Sequence, residues 1–322
     1  MKILFLLCFI TISIGFSAAV SCGGITPFKY VDVPAPYDIP PASRFTTTRG
    51  PDVPDIVCYL SRPDVSSYPI AIVCSGSTSR DSITSVIHIH RYFLAEFLDL
   101  GAAVLTVEQW GVDANISNAK EFMDHYTRTQ RLNDHITAIA HITLNPPENW
   151  NGKFIFLSVS EGGPLVTTLT TLYQDCAIAT INWSGAGDWN WREELWAFIQ
   201  ADPVLSKEIS SCELYKARME ETLKEPTPDK EFLGMTYKYH DDALTYPRYS
   251  YEKLLTPFLV ISGALDSLID SSDEFVKNAK ATGANITYFR IDDMDHYVRK
   301  RPDIIGQSFE WLKEMLHTQR AL

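Results

Sequence analysis

A mostly parallel β-sheet with helices on both faces is the fold this sequence predicts, and three observations predict it. Short apolar, β-rich runs at residues 69–74, 102–107, 154–159, 177–182, 256–263 and 285–291 have the length of buried strands. Segments with apolar residues at helical spacing lie between most of them, and strands alternating with helices demand crossover connections and hence parallel pairing. Small, polar or acidic residues follow the C-terminal ends of these runs: Ser75-Gly76-Ser77-Thr78, Ser160-Glu161-Gly162-Gly163 and Gly263-Ala264-Leu265-Asp266. Open α/β sheets place their sites at those strand ends.

The elements follow in order. After the run at 69–74, Phe93, Leu94, Phe97 and Leu98 form one face of a helix. The run at 102–107 leads to a helix with Leu132, Ile136 and Ile139 on one side, stopped by Asn145-Pro146-Pro147. The strand at 154–159 enters Ser158-Val159-Ser160-Glu161-Gly162-Gly163, and Leu165, Leu169 and Leu172 start a helix at once. Residues 206–224 read as a charged helical stretch. The last helix has Pro302 in its first turn and repeats Ile305, Phe309, Leu312 and Leu316.

Strand, sharp turn and helix in that order can lift a serine hydroxyl clear of a sheet edge and aim helix N-terminal amides at a carbonyl. Small neighbours are needed because strand and helix approach closely there, and Ser158, Gly162 and Gly163 supply them, with serine at the usual first glycine. Ser160 also suits a plain helix N-cap. What separates the readings lies downstream. Asp266 follows one predicted strand and His296 follows the last one, in Asp292-Asp293-Met294-Asp295-His296. A serine hydroxyl needs a base to take its proton, histidine titrates near neutrality, and a carboxylate on its second nitrogen fixes the tautomer. Asp266 could equally cap a helix, with Asp270 as the alternative acid, and His296 could be a surface residue of an acidic turn.

With Ser160, Asp266 and His296 in that chain order, each just past a strand, the sequence resembles the α/β-hydrolases. The resemblance covers about 270 residues. It implies opening antiparallel strands within residues 45–63 and a domain running from 45 to 322. It also implies an oxyanion hole made by the backbone N–H of Glu161 and one from the Gly76-Ser77 turn, with the Glu161 side chain exposed. Residues 187–251 stand where that fold often carries a helical lid, and Trp189, Trp191 and Trp196 would line an apolar acyl pocket or simply pack the insertion onto the core. Hydrolysis of a carboxylic ester of small-molecule size, through an acyl-enzyme and without cofactor or metal, is the activity implied. Residues 158–163 and 181–185 are weakly similar to bile-acid acyltransferases and acyl-CoA thioesterases, so thioester chemistry is an alternative, and a peptidase is another. A non-catalytic binding or adhesion module is the other-class alternative, favoured only by Ser158.

Met1-Lys2, the apolar run from Ile3 to Phe16 and the small residues after it describe a secretory signal over residues 1–21, followed by an extension over 22–44. The run is shorter than the roughly 20 residues a membrane span needs. Ala19-Val20-Ser21-Cys22 resembles a bacterial lipobox without its leucine, so lipidation of Cys22 and membrane attachment are expected. Cleavage after Ala19 to a soluble exported protein is the alternative, and an uncleaved anchor the third.

The chain is 45% hydrophobic and 12% aromatic, enough to fill one large core. Its net charge of −12 becomes −13 once Lys2 leaves with the leader, which argues against nucleic acid or an anionic membrane as the main partner. The oligomeric state is left open. Cys58 and Cys74 are assigned to neighbouring strands, and no disulfide is expected. His88-Ile89-His90 has no further ligands at metal-site spacing and reads as helical surface. Three glycosylation-type triplets, beginning at Asn115, Asn182 and Asn285, are read as accidental beside a bacterial-style leader.

Overall fold

The computed structural model describes residues 31–32, 42–114 and 116–320. The signal segment, Cys22, most of the extension and Asn115 lie outside the described residues.

Among the described residues, nine strands form the main sheet: β1 (Val31–Asp32), β2 (Ser43–Thr47), β3 (Ile56–Ser61), β4 (Tyr68–Cys74), β5 (Ala103–Val107), β6 (Trp150–Val159), β7 (Ala177–Trp183), β8 (Phe258–Gly263) and β9 (Ile286–Ile291). Their order is β1-β2-β3-β5-β4-β6-β7-β8-β9. The pairs from β1 through β3 to β5 are antiparallel, and every pair from β5 to β9 is parallel. Because β5 inserts between β3 and β4, Cys58 and Cys74 are not on neighbouring strands, correcting the sequence reading. That crossover is invisible to a one-dimensional pattern. Cys58, Cys74, Cys176 and Cys212 are free thiols.

Side-chain alternation gives the sheet two buried faces. On β4, Ala71 and Val73 join α1 (Ile87–Asp99) and α10 (Pro302–Arg320) through Phe93, Phe97, Phe309 and Leu312. Ile70, Ile72 and Cys74 face the other way, toward Ile139 of α3 (Arg128–Leu144) and Leu165 of α4 (Gly163–Leu172). The central strands have almost no exposed residue, as a sheet covered on both sides requires. α9 (Ile269–Ala281) covers β8 through Phe275 and Ala279.

Between α1 and α3, α2 (Ala119–His125) is capped by Asn118, and Thr127 caps α3. The long connection from β7 to β8 contains α5 (Trp191–Ala201), α6 (Leu205–Glu208), α7 (Cys212–Lys224) and α8 (Tyr237–Thr245). A short hairpin, Glu231–Phe232 with Met235–Thr236, separates the last two. The single stretch expected at 206–224 is broken, because the Ser211 side chain accepts the Leu214 amide and starts a new helix. Leu195, Ile199, Ile209, Tyr215 and Met219 give this segment a small core of its own. Among the described residues, no helix is long and apolar enough to cross a membrane.

The His88-Ile89-His90 pair is not all surface. His90 is fully buried, bonded to Ser61 Oγ at 2.8 Å and Thr106 Oγ1 at 3.0 Å, and burial pushes its pKa down to about 3. The helix-spacing pattern missed this because α1 meets β3 and β5 on the face His90 occupies. Asn182 is also fully buried, on β7, which denies it to glycosylation.

Candidate active site

At the end of β6 the chain reverses sharply. Ser160 takes φ +51°, a left-handed conformation that costs a non-glycine residue strain, and α4 follows after one tight turn. The small residues around it are enforced, but by partners other than its own helix. A Cβ on Gly162 would lie 2.5 Å from the Cys74 carbonyl oxygen, and one on Gly163 would lie 2.0 Å from that of Gly185. The turns after β4 and β7 therefore press on the serine from both sides.

The three residues separated by 136 positions in the chain meet here. Ser160 Oγ lies 2.8 Å from His296 Nε2, and His296 Nδ1 lies 2.7 Å from Asp266 Oδ2. Asp266 is buried, and its Oδ1 accepts the Leu268 amide at 3.0 Å, so the local turn and the histidine contact share one carboxylate. Gly263 permits this meeting, since a Cβ there would sit 2.0 Å from the Met294 carbonyl oxygen. A hydroxyl held against an imidazole that is itself held by a carboxylate can lose its proton as it attacks a carbonyl. Asp270, the alternative acid, sits in the first turn of α9.

Gly76 and Ser77 lie alongside the serine, with the Gly76 Cβ position 3.2 Å from Ser160 Cβ, and Ser77 lines the same cavity as Ser160 and His296.

Glu161 departs from expectation: its side chain is buried, not exposed. Arg131 pairs with it through Nη1, Arg128 Nε reaches it at 3.2 Å, and the hydroxyls of Tyr126 (3.0 Å) and Tyr239 donate to it. Burial pushes this carboxyl upward, yet the Arg131 and Arg128 guanidiniums outweigh it and hold it below its ordinary value. The same groups fasten the turn after β4. Arg131 Nη2 donates to the Ser75 carbonyl at 2.5 Å, and the Thr78 amide donates to Tyr126 Oη at 3.1 Å. Sequence reading missed this cluster, because two arginines at i, i+3 beside Leu132 look like an ordinary polar helix face until α8 covers it with Tyr239.

The cavity holding Ser160 and His296 has a volume of about 230 Å³. Of the three tryptophans expected to line it, only Trp191 does, stacked 4.9 Å from the Arg128 guanidinium and bonded through Nε1 to His240 at 2.9 Å. Trp189 instead lines an outer hollow and bonds Glu274 at 3.1 Å, and Trp196 stacks on Tyr215 at 5.3 Å inside the helical segment. Trp196 packs instead against the helical segment's own core of Leu195, Ile199, Ile209, Tyr215 and Met219. Among the described residues, no group of three or more His, Cys, Asp and Glu side chains could hold a metal ion.

No family model matches the sequence, and no curated protein matches it in sequence. Solved structures do match in shape. Est1E from Butyrivibrio proteoclasticus shares 15% identity over 87% of this chain and 99% of its own, with a TM-score of 0.53. A thermostable carboxyl esterase from Bacillus coagulans gives 12%, 86%, 98% and 0.59 in the same order. Alpha/beta hydrolase domain-containing protein 10 from mouse gives 16%, 86%, 100% and 0.56. The chain has the α/β-hydrolase fold. Within that fold, the serine, aspartate and histidine positions all lie at the C-terminal edge of the parallel strands β6, β8 and β9.

Proposed function

We propose that this α/β-hydrolase-fold chain is a serine hydrolase that cleaves a carboxylic ester through an acyl-enzyme on Ser160. One observation carries the reading: the hydrogen-bonded line from Ser160 Oγ through His296 to Asp266. In the first step His296 Nε2 takes the hydroxyl proton while Oγ bonds to the ester carbon, and Asp266 stabilises the imidazolium. The backbone N–H groups of Glu161 and the Gly76-Ser77 turn receive the oxyanion, each donor contributing about 3 kcal/mol to the transition state. His296 then gives the proton to the leaving alcohol, and water repeats the sequence on the acyl-enzyme. The names of similar solved structures, a carboxyl esterase among them, support an ester as substrate.

Residues 187–251 act as a lid in this reading, since Trp191, Leu195, Phe198, Leu233 and Met235 line the same cavity as Ser160. The N-terminal sequence supports export, with Cys22 as the lipid-bearing residue.

The test is labelling of the purified protein with a fluorophosphonate probe, beside Ser160→Ala and His296→Ala. Labelling of the wild type and its loss in both variants is expected. A folded wild type that takes no label would overturn the proposal.

A further inference from the structure

We propose that Tyr239, on helix α8 of the segment between β7 and β8, is a positioning residue whose hydroxyl fixes the oxyanion donors beside Ser160. The inference rests on the ester-hydrolase reading and deepens it.

Glu161 is the link. Its backbone N–H is one of the donors assigned to the oxyanion, and its buried carboxylate accepts four bonds, two on each oxygen. Oε2 takes Arg131 Nη1 and the Tyr126 hydroxyl, the same groups that hold Ser75 and Thr78 on either side of the Gly76-Ser77 turn. Oε1 takes the Tyr239 hydroxyl and Arg128 Nε, the latter at 3.2 Å. Arg128 is itself shared, with Glu194 at 3.6 Å and the Trp191 ring at 4.9 Å, both on α5. One oxygen is thus held from the side of the turn, and the other chiefly from the segment between β7 and β8.

Packing alone does not call for a tyrosine at 239. The fully buried ring lies parallel to that of Tyr126, with centroids 5.4 Å apart, and meets Trp191 edge-on at 5.6 Å. Phenylalanine would make both ring contacts. A hydroxyl buried at that depth is costly without a partner, and the partner it has is the carboxylate of the residue after Ser160.

α8 is seated so as to aim this hydroxyl. Asp242 Oδ2 accepts the Thr129 amide of α3 at 3.0 Å, and Lys238 Nζ donates to the Asp124 carbonyl of α2 at 2.7 Å. Thr236 Oγ1 accepts the amide of Tyr239 itself at 3.1 Å. These contacts flank Tyr239 on both sides, so α8 is a docked part of the segment and its docking sets the turn. Without the hydroxyl, Oε1 keeps only the longer Arg128 contact and the carboxylate follows the pull of Arg131. The peptide between Ser160 and Glu161 then shifts, and a displaced oxyanion donor weakens transition-state binding while ground-state binding persists.

The experiment measures kcat and KM for p-nitrophenyl butyrate in wild type, Tyr239→Phe and Tyr215→Phe, with active-site concentration fixed by fluorophosphonate labelling taken to completion. Tyr215 is the control, a buried tyrosine of the same segment whose hydroxyl donates to the Arg192 carbonyl at 2.8 Å. Both variants are expected to unfold at a lower temperature than wild type. Tyr239→Phe is expected to lose about tenfold in kcat with KM unchanged, as for an interaction that acts in the transition state, while Tyr215→Phe keeps the wild-type kcat. A kcat for Tyr239→Phe within about twofold of wild type, or an equal loss in both variants, would reduce Tyr239 to a packing residue and overturn the inference while leaving the hydrolase reading intact. Should Tyr239→Phe not fold, Lys238→Ala combined with Asp242→Ala unseats α8 and retains the hydroxyl. Loss of kcat at unchanged KM then supports the inference, and a wild-type kcat overturns it. Absence of labelling in wild type would remove the hydrolase reading itself, and this inference with it.

Discussion

Arg131 touches both Glu161 and Ser75: one guanidinium nitrogen pairs with the carboxylate next to Ser160, and the other holds the carbonyl that starts the turn after β4. A buried ion pair is a weak source of net stability, because desolvating two charges offsets most of their attraction. Its consequence here is positional. The same carboxylate is bonded by Tyr126, whose oxygen accepts the Thr78 amide, so both ends of the Ser75-Gly76-Ser77-Thr78 turn are fixed from one anchor beside Ser160.

Glu161→Gln removes that anchor's charge, leaving the buried Arg131 guanidinium without its paired carboxylate and Arg128 with Glu194 at 3.6 Å. A loss of about 3–5 kcal/mol of stability is expected, measured by denaturant unfolding. Fluorophosphonate labelling at a temperature where the variant remains folded should slow as well, because the turn beside the serine loosens.

The same pair predicts a pH dependence. Glu161 has its folded pKa depressed, so its contribution is present above the unfolded carboxyl value and is lost as pH falls through the lower, folded one. The stability difference between wild type and Glu161→Gln should therefore be constant near neutrality and shrink below about pH 4, the ordinary glutamate range. Unfolding midpoints of both proteins measured from neutral to acid pH check this, and a difference that grows in acid would contradict it.

Asp266→Asn keeps an oxygen for the Leu268 amide but turns an N–H toward His296 Nδ1. The imidazole then adopts the wrong tautomer to accept the serine proton. Turnover of an activated ester should drop about 10³- to 10⁴-fold with little change in unfolding midpoint.

Two glycine substitutions should part company. Gly185→Ala drives a methyl into the Ser160 carbonyl oxygen, 1.9 Å away, and should abolish labelling. Gly306→Ala, inside α10 with nothing within 4 Å of the new Cβ, should stabilise the protein by about 0.5–1 kcal/mol. Thermal unfolding and probe labelling of the two variants decide both.

The sequence by itself determined the parallel sheet, its helices and the places of Ser160, Asp266 and His296. Those features are local: strand-length apolar runs, helical spacing, and polar residues at strand ends are each written within about ten consecutive positions. What joins distant segments was decided only by the tertiary structure. The insertion of β5 between β3 and β4 separated Cys58 from Cys74, and the meeting of α1 with the sheet buried His90. The arrival of α8 over α3 turned Glu161, Arg128 and Arg131 from a plausible polar surface into a buried cluster, and α5 chose Trp191 rather than Trp189 or Trp196 for the cavity. A charged residue reads as exposed until a second element removes water from it, and whether that element brings an opposite charge is a fact of packing that no single segment contains.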